Sequence, residues 1–267
     1  YIHEIPMPDI KRGIYRGSSA EERYLKTLST KIDLIKSQGK KPIFMFEPFM
    51  GCGGQLPLPE QFLKVGHKLI QQSCGVSIAD EVQTGFGRLG SHYWAFEFFD
   101  IEPDIVTLGK SMGNGFPLSA VVTTREIANR FDNGMEYFNS FGGNAVSSVV
   151  GDTVLKIIAE EGLQENAKDV GQYLKRQLIE LKHKNPIIGD VRGEGLFLGI
   201  EIVNLEKDKT RLPIVTKNII NKMKDKCILL SVDGPKKNII KIKPPLPFNK
   251  ENADFLVENF YKVLLSL

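Results

Sequence analysis

At 267 residues, with 42% hydrophobic and 25% charged side chains, the chain has ordinary globular composition and room for one large domain or two smaller ones. A net charge of +3, spread along the sequence, argues against a nucleic-acid surface, and no apolar run approaches the ~20 residues of a membrane span. Three cysteines, Cys52, Cys74 and Cys227, form no CxxC and no even set, which argues against a disulfide framework and for a reducing compartment, the cytoplasm.

The first residues, Ile5-Pro-Met-Pro-Asp9, read as an extended segment punctuated by proline. Ser18-Ser-Ala-Glu21-Glu22 has the pattern of a capping box, and Leu25, Leu28, Ile32 and Ile35 fall on one helical face before Gly39. Pro42-Ile-Phe-Met-Phe-Glu47 is a continuous apolar run, the signature of a strand buried on both faces. Pro59 opens a second helix with Phe62, Val65 and Leu69 inward and Gly75 as its stop. A strand follows to Asp80, then a polar, glycine-rich loop from Glu81 to Gly90. The strand Ile105–Leu108 leads into Gly109-Lys110-Ser-Met-Gly-Asn-Gly115, and a further strand, Leu118–Thr123, ends at Thr124, the cap of a helix over 125–131.

This alternation is the sequence form of an α/β sheet, mostly parallel, in which ligands sit at the carboxyl ends of the strands. Glu47, Asp80 and Lys110 each fall at or near such an end. From Asn144 the pattern changes. A long helix carrying Val150, Val154, Ile157 and Ile158 runs to Gly162, and a second carries Val170, Leu174, Leu178 and Leu181. The loop Gly189–Gly195 enters a strand at 196–203, and a helix (213–226), two strands (228–232 and 238–243) and a helix (250–265) complete the chain. The lysines at 217–226 and 236–243 alternate with apolar residues and read as solvated faces. These boundaries predict a large α/β domain over 1–154 and a smaller α+β domain over 155–267.

Four features at the strand ends carry chemistry. Lys110 follows Ile-Val-Thr-Leu-Gly without a polar spacer, so its base is expected to be buried, and its amine can form a Schiff base with an aldehyde. Asp80 ends a strand, where a carboxylate calls for a cationic partner. Asn139-Ser140-Phe-Gly-Gly-Asn144 offers hydroxyls and amides at a helix start, a setting that suits phosphate. Arg192 sits among glycines that let a planar anion approach its guanidinium. Taken singly, each has a plainer reading: a turn aspartate, a solvated lysine, an N-cap, a surface-loop arginine. No G-x-G-x-x-G follows a strand, which weakens a nucleotide-dependent oxidoreductase.

Together these stretches resemble a known family. Ile78-Ala-Asp80-Glu-Val82-Gln83-Thr-Gly-Phe-Gly-Arg88 and Asp104-Ile-Val-Thr-Leu-Gly-Lys110-Ser-Met-Gly-Asn-Gly-Phe-Pro117 are similar to the class III pyridoxal-phosphate aminotransferase signature. Gly142-Gly-Asn144, Arg192-Gly-Glu-Gly-Leu196 and Lys243-Pro-Pro-Leu246 match it in the same order. The resemblance implies fold type I and pyridoxal 5′-phosphate as cofactor, with no metal. It implies that Lys110 binds the cofactor and shuttles the substrate proton. Asp80 would pair with the pyridine nitrogen, Val82 pack on the ring, and Gln83 bond the ring hydroxyl. Ser140, where the family usually has Thr, would reach the cofactor phosphate of the neighbouring subunit. Arg192 would bind the anionic group of a small amino substrate. A homodimer with sites at the subunit interface is implied as well.

Two departures stand out. Met50-Gly51-Cys52 replaces a Gln-Gly-Glu pattern whose Glu pairs with the substrate arginine in several members, so Arg192 is expected to be permanently available to an anion. Cys52-Gly-Gly-Gln55, Met135–Ser140 and Ser231-Val-Asp-Gly-Pro235 look more like the branch containing ethanolamine-phosphate phospho-lyase and alanine–glyoxylate-aminotransferase-like proteins. The family's amino-terminal portion is missing, which predicts a fragment, a truncated product or one piece of a longer protein. Three outcomes stay open: transamination, elimination of phosphate and ammonia from a phosphorylated amino alcohol, or a non-catalytic remnant.

Overall fold

The computed structural model describes residues 2–203 and 212–267. In chain order its elements are α1 (Ala20–Ser37), β1 (Ile43–Phe46), β2 (Phe49–Met50), β3 (Leu56–Pro57), α2 (Glu60–Gln72), β4 (Val76–Asp80), β5 (Ile105–Leu108), β6 (Ala120–Thr123), α3 (Arg125–Phe131), α4 (Ala145–Glu160), α5 (Leu163–Lys184), β7 (Ile188–Glu194), β8 (Phe197–Ile202), α6 (Leu212–Lys224), β9 (Ser231–Asp233), β10 (Ile239–Ile242) and α7 (Lys250–Leu265). They group into two units, one of Tyr1–Pro48, Leu58–Phe86 and Trp94–Glu160, the other of Phe49–Pro57, Gly87–Tyr93 and Glu161–Leu267. The change of unit thus falls at Glu160, and two short stretches inside 1–154 pack with the second unit.

The first unit is built on a sheet of order β1-β4-β5-β6. β1, β4 and β5 run parallel and β6 is antiparallel to β5. Helix α2 lies in the connection between the parallel strands β1 and β4, as parallel pairing requires, and α1 precedes β1. Tyr24, Leu28 and Ile32 of α1 are buried, and Leu28 approaches α2 so closely that a Cβ on Gly66 would lie 2.7 Å from its Cδ2. On α2 the buried set is Phe62, Leu63, Gly66, His67 and Ile70, with the expected Val65 and Leu69 only half-buried. The expected capping box at Ser19 is absent. Glu21 instead accepts the backbone N–H of Phe62 (2.9 Å), satisfying a donor in the first turn of α2. Gly75 does not stop α2: Cys74 takes the left-handed position (φ +50°), and Gly75 is required because a Cβ there would lie 2.5 Å from the Pro42 carbonyl oxygen.

β1 differs from its predicted burial. Phe44 and Phe46 point into the core, but Ile43 and Met45 are 66% and 58% exposed. Register places Val121 on that same face, also exposed. An apolar run marks a strand with two apolar faces; whether both are covered depends on what packs there. α4 shows the same effect. Its buried stripe is Ser147, Gly151 and Ile158, whereas Val150 and Val154 are half-buried and Ile157 is exposed.

The second unit is an antiparallel sheet of order β7-β8-β10-β9. One face packs on helices α5, α6 and α7 through a core that includes Leu174, Leu178, Ile200, Ile219, Ile240 and Phe260. β7 occupies the stretch expected to be a loop. Its glycines serve close approach: Gly193 (φ +104°) would place a Cβ 1.9 Å from the Phe197 carbonyl oxygen. Arg192 therefore sits in a strand. Among the described residues no helix is long and apolar enough to cross a membrane.

Candidate active site

The carboxyl edge of the parallel strands gathers Asp80, Val82 and Lys110 of the first unit. Asp80 ends β4 and Thr107 lies directly beside it in β5, so Lys110 follows three residues beyond that level. Asp80 Oδ1 accepts the Val82 N–H (2.9 Å), which turns the chain back over the edge. The Val82 methyls come within 3.6 Å of where a Cβ on Gly109 would stand, so Val82 packs against the residue preceding Lys110. Gln83, half-buried, continues the same turn.

Lys110 is exposed, not seated on a buried base as its apolar run suggests. Its backbone has φ +41°, a left-handed conformation that is unfavourable for a residue with a Cβ and that concentrates at functional sites. The loop is held by hydrogen bonds from Met112 N–H to Gly109 O and from Gly113 N–H to Lys110 O (3.1 and 3.2 Å). Gly113 admits no side chain, since a Cβ would lie 2.0 Å from the Phe116 carbonyl oxygen.

The donor set fits pyridoxal phosphate. Lys110 offers an amine for the aldehyde, and Asp80 has no cationic partner among the described residues, as a carboxylate awaiting a protonated ring nitrogen should. Val82 gives an apolar wall and Gln83 an amide. Thr107 Oγ1, in register with Asp80, is buried without a hydrogen-bond partner among the described residues, an unused polar contact at the same edge. Ser140 is not gathered here: it is exposed on a turn after α3, with no hydrogen bond to Lys110 or Asp80. Asn139 Oδ1 closes that turn by accepting from Phe141 and Gly142 N–H (both 3.1 Å), and Asn144 Oδ1 caps α4 through Ser147 N–H (3.1 Å).

Two carboxylates here escaped sequence reasoning. Glu81 is fully buried, accepting the Phe96 N–H on Oε1 (2.9 Å) and the Thr84 hydroxyl on Oε2 (2.8 Å). Burial drives its pKa up to about 7 against the opposing hydrogen bonds from Ala95, Thr84 and Phe96. Strand alternation was the available signal, because adjacent residues point to opposite faces. Asp104 Oδ2 accepts both the N–H and the hydroxyl of Ser77 (2.7 Å each), fixing the start of β5 against β4. Arg88, which closes the first motif, belongs to the second unit and donates to the carbonyls of Leu196 (3.2 Å) and Pro244 (2.8 Å).

Arg192, in the second unit, is buried and already paired. Its Nη2 lies 3.1 Å from Glu201 Oε2 and its Nε 3.6 Å from Asp190 Oδ2. The expectation of a permanently available arginine does not hold.

A parallel sheet with a lysine loop and an aspartate at one edge defines a pyridoxal-phosphate transferase fold. The chain belongs to the class-III aminotransferase family, whose model matches residues 2–264. It is 42% identical to the alanine–glyoxylate aminotransferase 2-like protein of Drosophila melanogaster over 276 aligned residues, covering 100% of this chain and 56% of that protein. Against the mitochondrial alanine–glyoxylate aminotransferase 2 homolog 2 of Arabidopsis thaliana it is 46% identical, covering 96% of this chain and 53% of that protein. Among solved structures, a phospholyase from Arthrobacter in complex with phosphoethanolamine superposes with a TM-score of 0.88 at 37% identity, over 93% of this chain and 59% of that one. The chain thus spans about half the length of the curated relatives it matches.

Proposed function

We propose that this chain carries the lysine-bearing part of a class III aminotransferase site and acts on a small amine with an anionic group. The observation that carries this is the convergence of Asp80, Val82 and Lys110 at one sheet edge. Pyridoxal phosphate, when bound, supplies an aldehyde for a lysine amine and an electron sink for the carbon beside the substrate nitrogen. Asp80 would hold the proton on the ring nitrogen, Val82 would restrain the ring face, and Gln83 would orient the ring hydroxyl. Lys110 would hold the cofactor and its amine would serve as the base that takes the proton from the carbon bearing nitrogen. Arg192 meets the substrate's anion. The likeness to the phosphoethanolamine-bound phospholyase supports a second reading, in which proton removal by Lys110 leads to loss of phosphate.

The working unit is a homodimer in which Ser140 of one chain serves the cofactor phosphate of the other. The exposed Met135, Phe138 and Phe141 around it support an interface there. Three unpaired cysteines support a reducing compartment such as the cytoplasm.

The test is an absorbance spectrum after adding pyridoxal phosphate. A protein-bound cofactor band that disappears in Lys110→Ala is expected. A folded chain with no such band would be a non-catalytic remnant, and the proposal fails. Ethanolamine phosphate then separates the two reactions: release of phosphate and ammonia marks elimination, and turnover that depends on a keto acid without phosphate release marks transamination.

A further inference from the structure

We propose that Glu201 and Asp190 are positioning residues that hold the Arg192 guanidinium in an internal ion pair and set how tightly it takes an external anion. This rests on reading Arg192 as the group that meets the substrate's anion.

The arrangement follows from strand register. In the β7–β8 ladder Asp190 stands opposite Glu201 and Arg192 opposite Gly199. Directly opposed residues share a face, so two carboxylates and one guanidinium crowd one side of the hairpin. Gly199 brings no side chain to this face, and a Cβ there would meet Ile239 Cγ2 at 3.0 Å and the Gln55 side chain at 3.1 Å, so that place is filled by neighbouring side chains while Arg192 pairs diagonally with Glu201. Exposure of the three charged side chains is 8% for Arg192, 10% for Asp190 and 7% for Glu201.

Two opposed carboxylates at this depth repel one another and are each costly to bury unpaired. Arg192, placed between them, relieves both. It is also neutralised before any ligand arrives. An external carboxylate or phosphate competes with Glu201 and Asp190 for the guanidinium. The measured affinity for an anion is therefore the intrinsic affinity of Arg192 reduced by the stability of the internal pair.

The experiment is a calorimetric titration of the full chain, without cofactor, using inorganic phosphate as probe. Glu201→Gln keeps shape and removes one negative charge, and is expected to bind phosphate at least tenfold more tightly than the unsubstituted chain. Glu201→Asp keeps the charge and should stay within about twofold of it. Arg192→Ala, added to Glu201→Gln, should abolish the gain. A merely structural Glu201 would give a destabilised chain with unchanged or weaker binding. The proposal is overturned if Glu201→Gln binds phosphate no more tightly, or if the gain survives loss of Arg192. Should Glu201→Gln not fold by circular dichroism, Asp190→Asn is titrated with the same expectation and the same overturning results. Cofactor is absent, so failure at Lys110 and failure here are read separately.

Discussion

Replacing Glu81 by Gln should stabilise the protein at pH 8 and leave it nearly unchanged at pH 5. Glu81 is buried after β4, and its pKa rises from an ordinary 4.5 to about 7. Between those values the folded chain keeps a proton that the unfolded chain has released. Raising the pH therefore favours unfolding, and the stability contributed by this group falls across that window and levels off above it. The displacement corresponds to roughly 3 kcal/mol, at about 1.4 kcal/mol per pH unit. Gln mimics the protonated acid: its carbonyl can accept from Phe96 N–H, and its amide can donate to the Thr84 hydroxyl. His67 shifts the other way, because burial lowers its pKa and its contribution grows as pH rises toward its ordinary 6.5. The difference between the two proteins at each pH, not the pH profile of either alone, isolates Glu81. Urea unfolding followed by fluorescence of the sole tryptophan reports the right unit, since Trp94 stacks edge-on against Phe86 in the first unit (5.1 Å). A gap between the two proteins that does not change from pH 5 to pH 8, or a Gln variant that is less stable at pH 8, would refute the reasoning.

Three further substitutions test the packing. Gly171→Ala on α5 would place a Cβ 2.3 Å from the Gly195 carbonyl carbon, backbone that cannot yield, so thermal unfolding should show a loss of at least ~2 kcal/mol despite the better helix propensity of Ala. Met45→Lys and Phe46→Ala should separate the faces of β1: the first, on the exposed face, should change stability by less than ~0.5 kcal/mol, and the second, in the core, should cost ~3–5 kcal/mol. A large loss from Met45→Lys would mean that this face is covered in solution.

Much of the fold follows from local patterns that need no partner. α5 and α7 show apolar residues at helical spacing, and β4 and β5 are short apolar runs between turns. The placement of Asp80 and Lys110 at the ends of β4 and β5 was legible for the same reason, because a strand end places its next polar residue at the sheet edge. What sequence missed depends on tertiary partners. Ile43 and Met45 look as apolar as Phe44 and Phe46, and only packing distinguishes their faces. Glu21 looks like half of a capping box and instead serves the start of another helix. β7 looks like a loop because Gly189, Gly193 and Gly195 read as turn residues, although Gly193 and Gly195 are there to let backbone approach backbone. That misreading freed Arg192 on paper, whereas a strand position sets it diagonally from Glu201.

The adjacent pair Asp80 and Glu81 shows how one strand end supplies both chemistry and scaffold. Strand alternation sends Asp80 to the open edge beside Thr107 and Lys110, where it is half-buried, and sends Glu81 inward. The Glu81 N–H still completes the ladder, donating to Thr107 O (3.0 Å), so the two carboxyl groups diverge from a backbone that is fixed at that point. Glu81 then anchors Thr84 and Phe96, and with them the turn that carries Val82 and Gln83. A carboxyl that is readily protonated suits this inner role, because it can be buried without a cation. Asp80, by contrast, lies half-buried at the sheet edge, where the proposed cofactor site would use its carboxylate. Two carboxyl groups, one position apart, differ in this way because the pleat gives each a different environment.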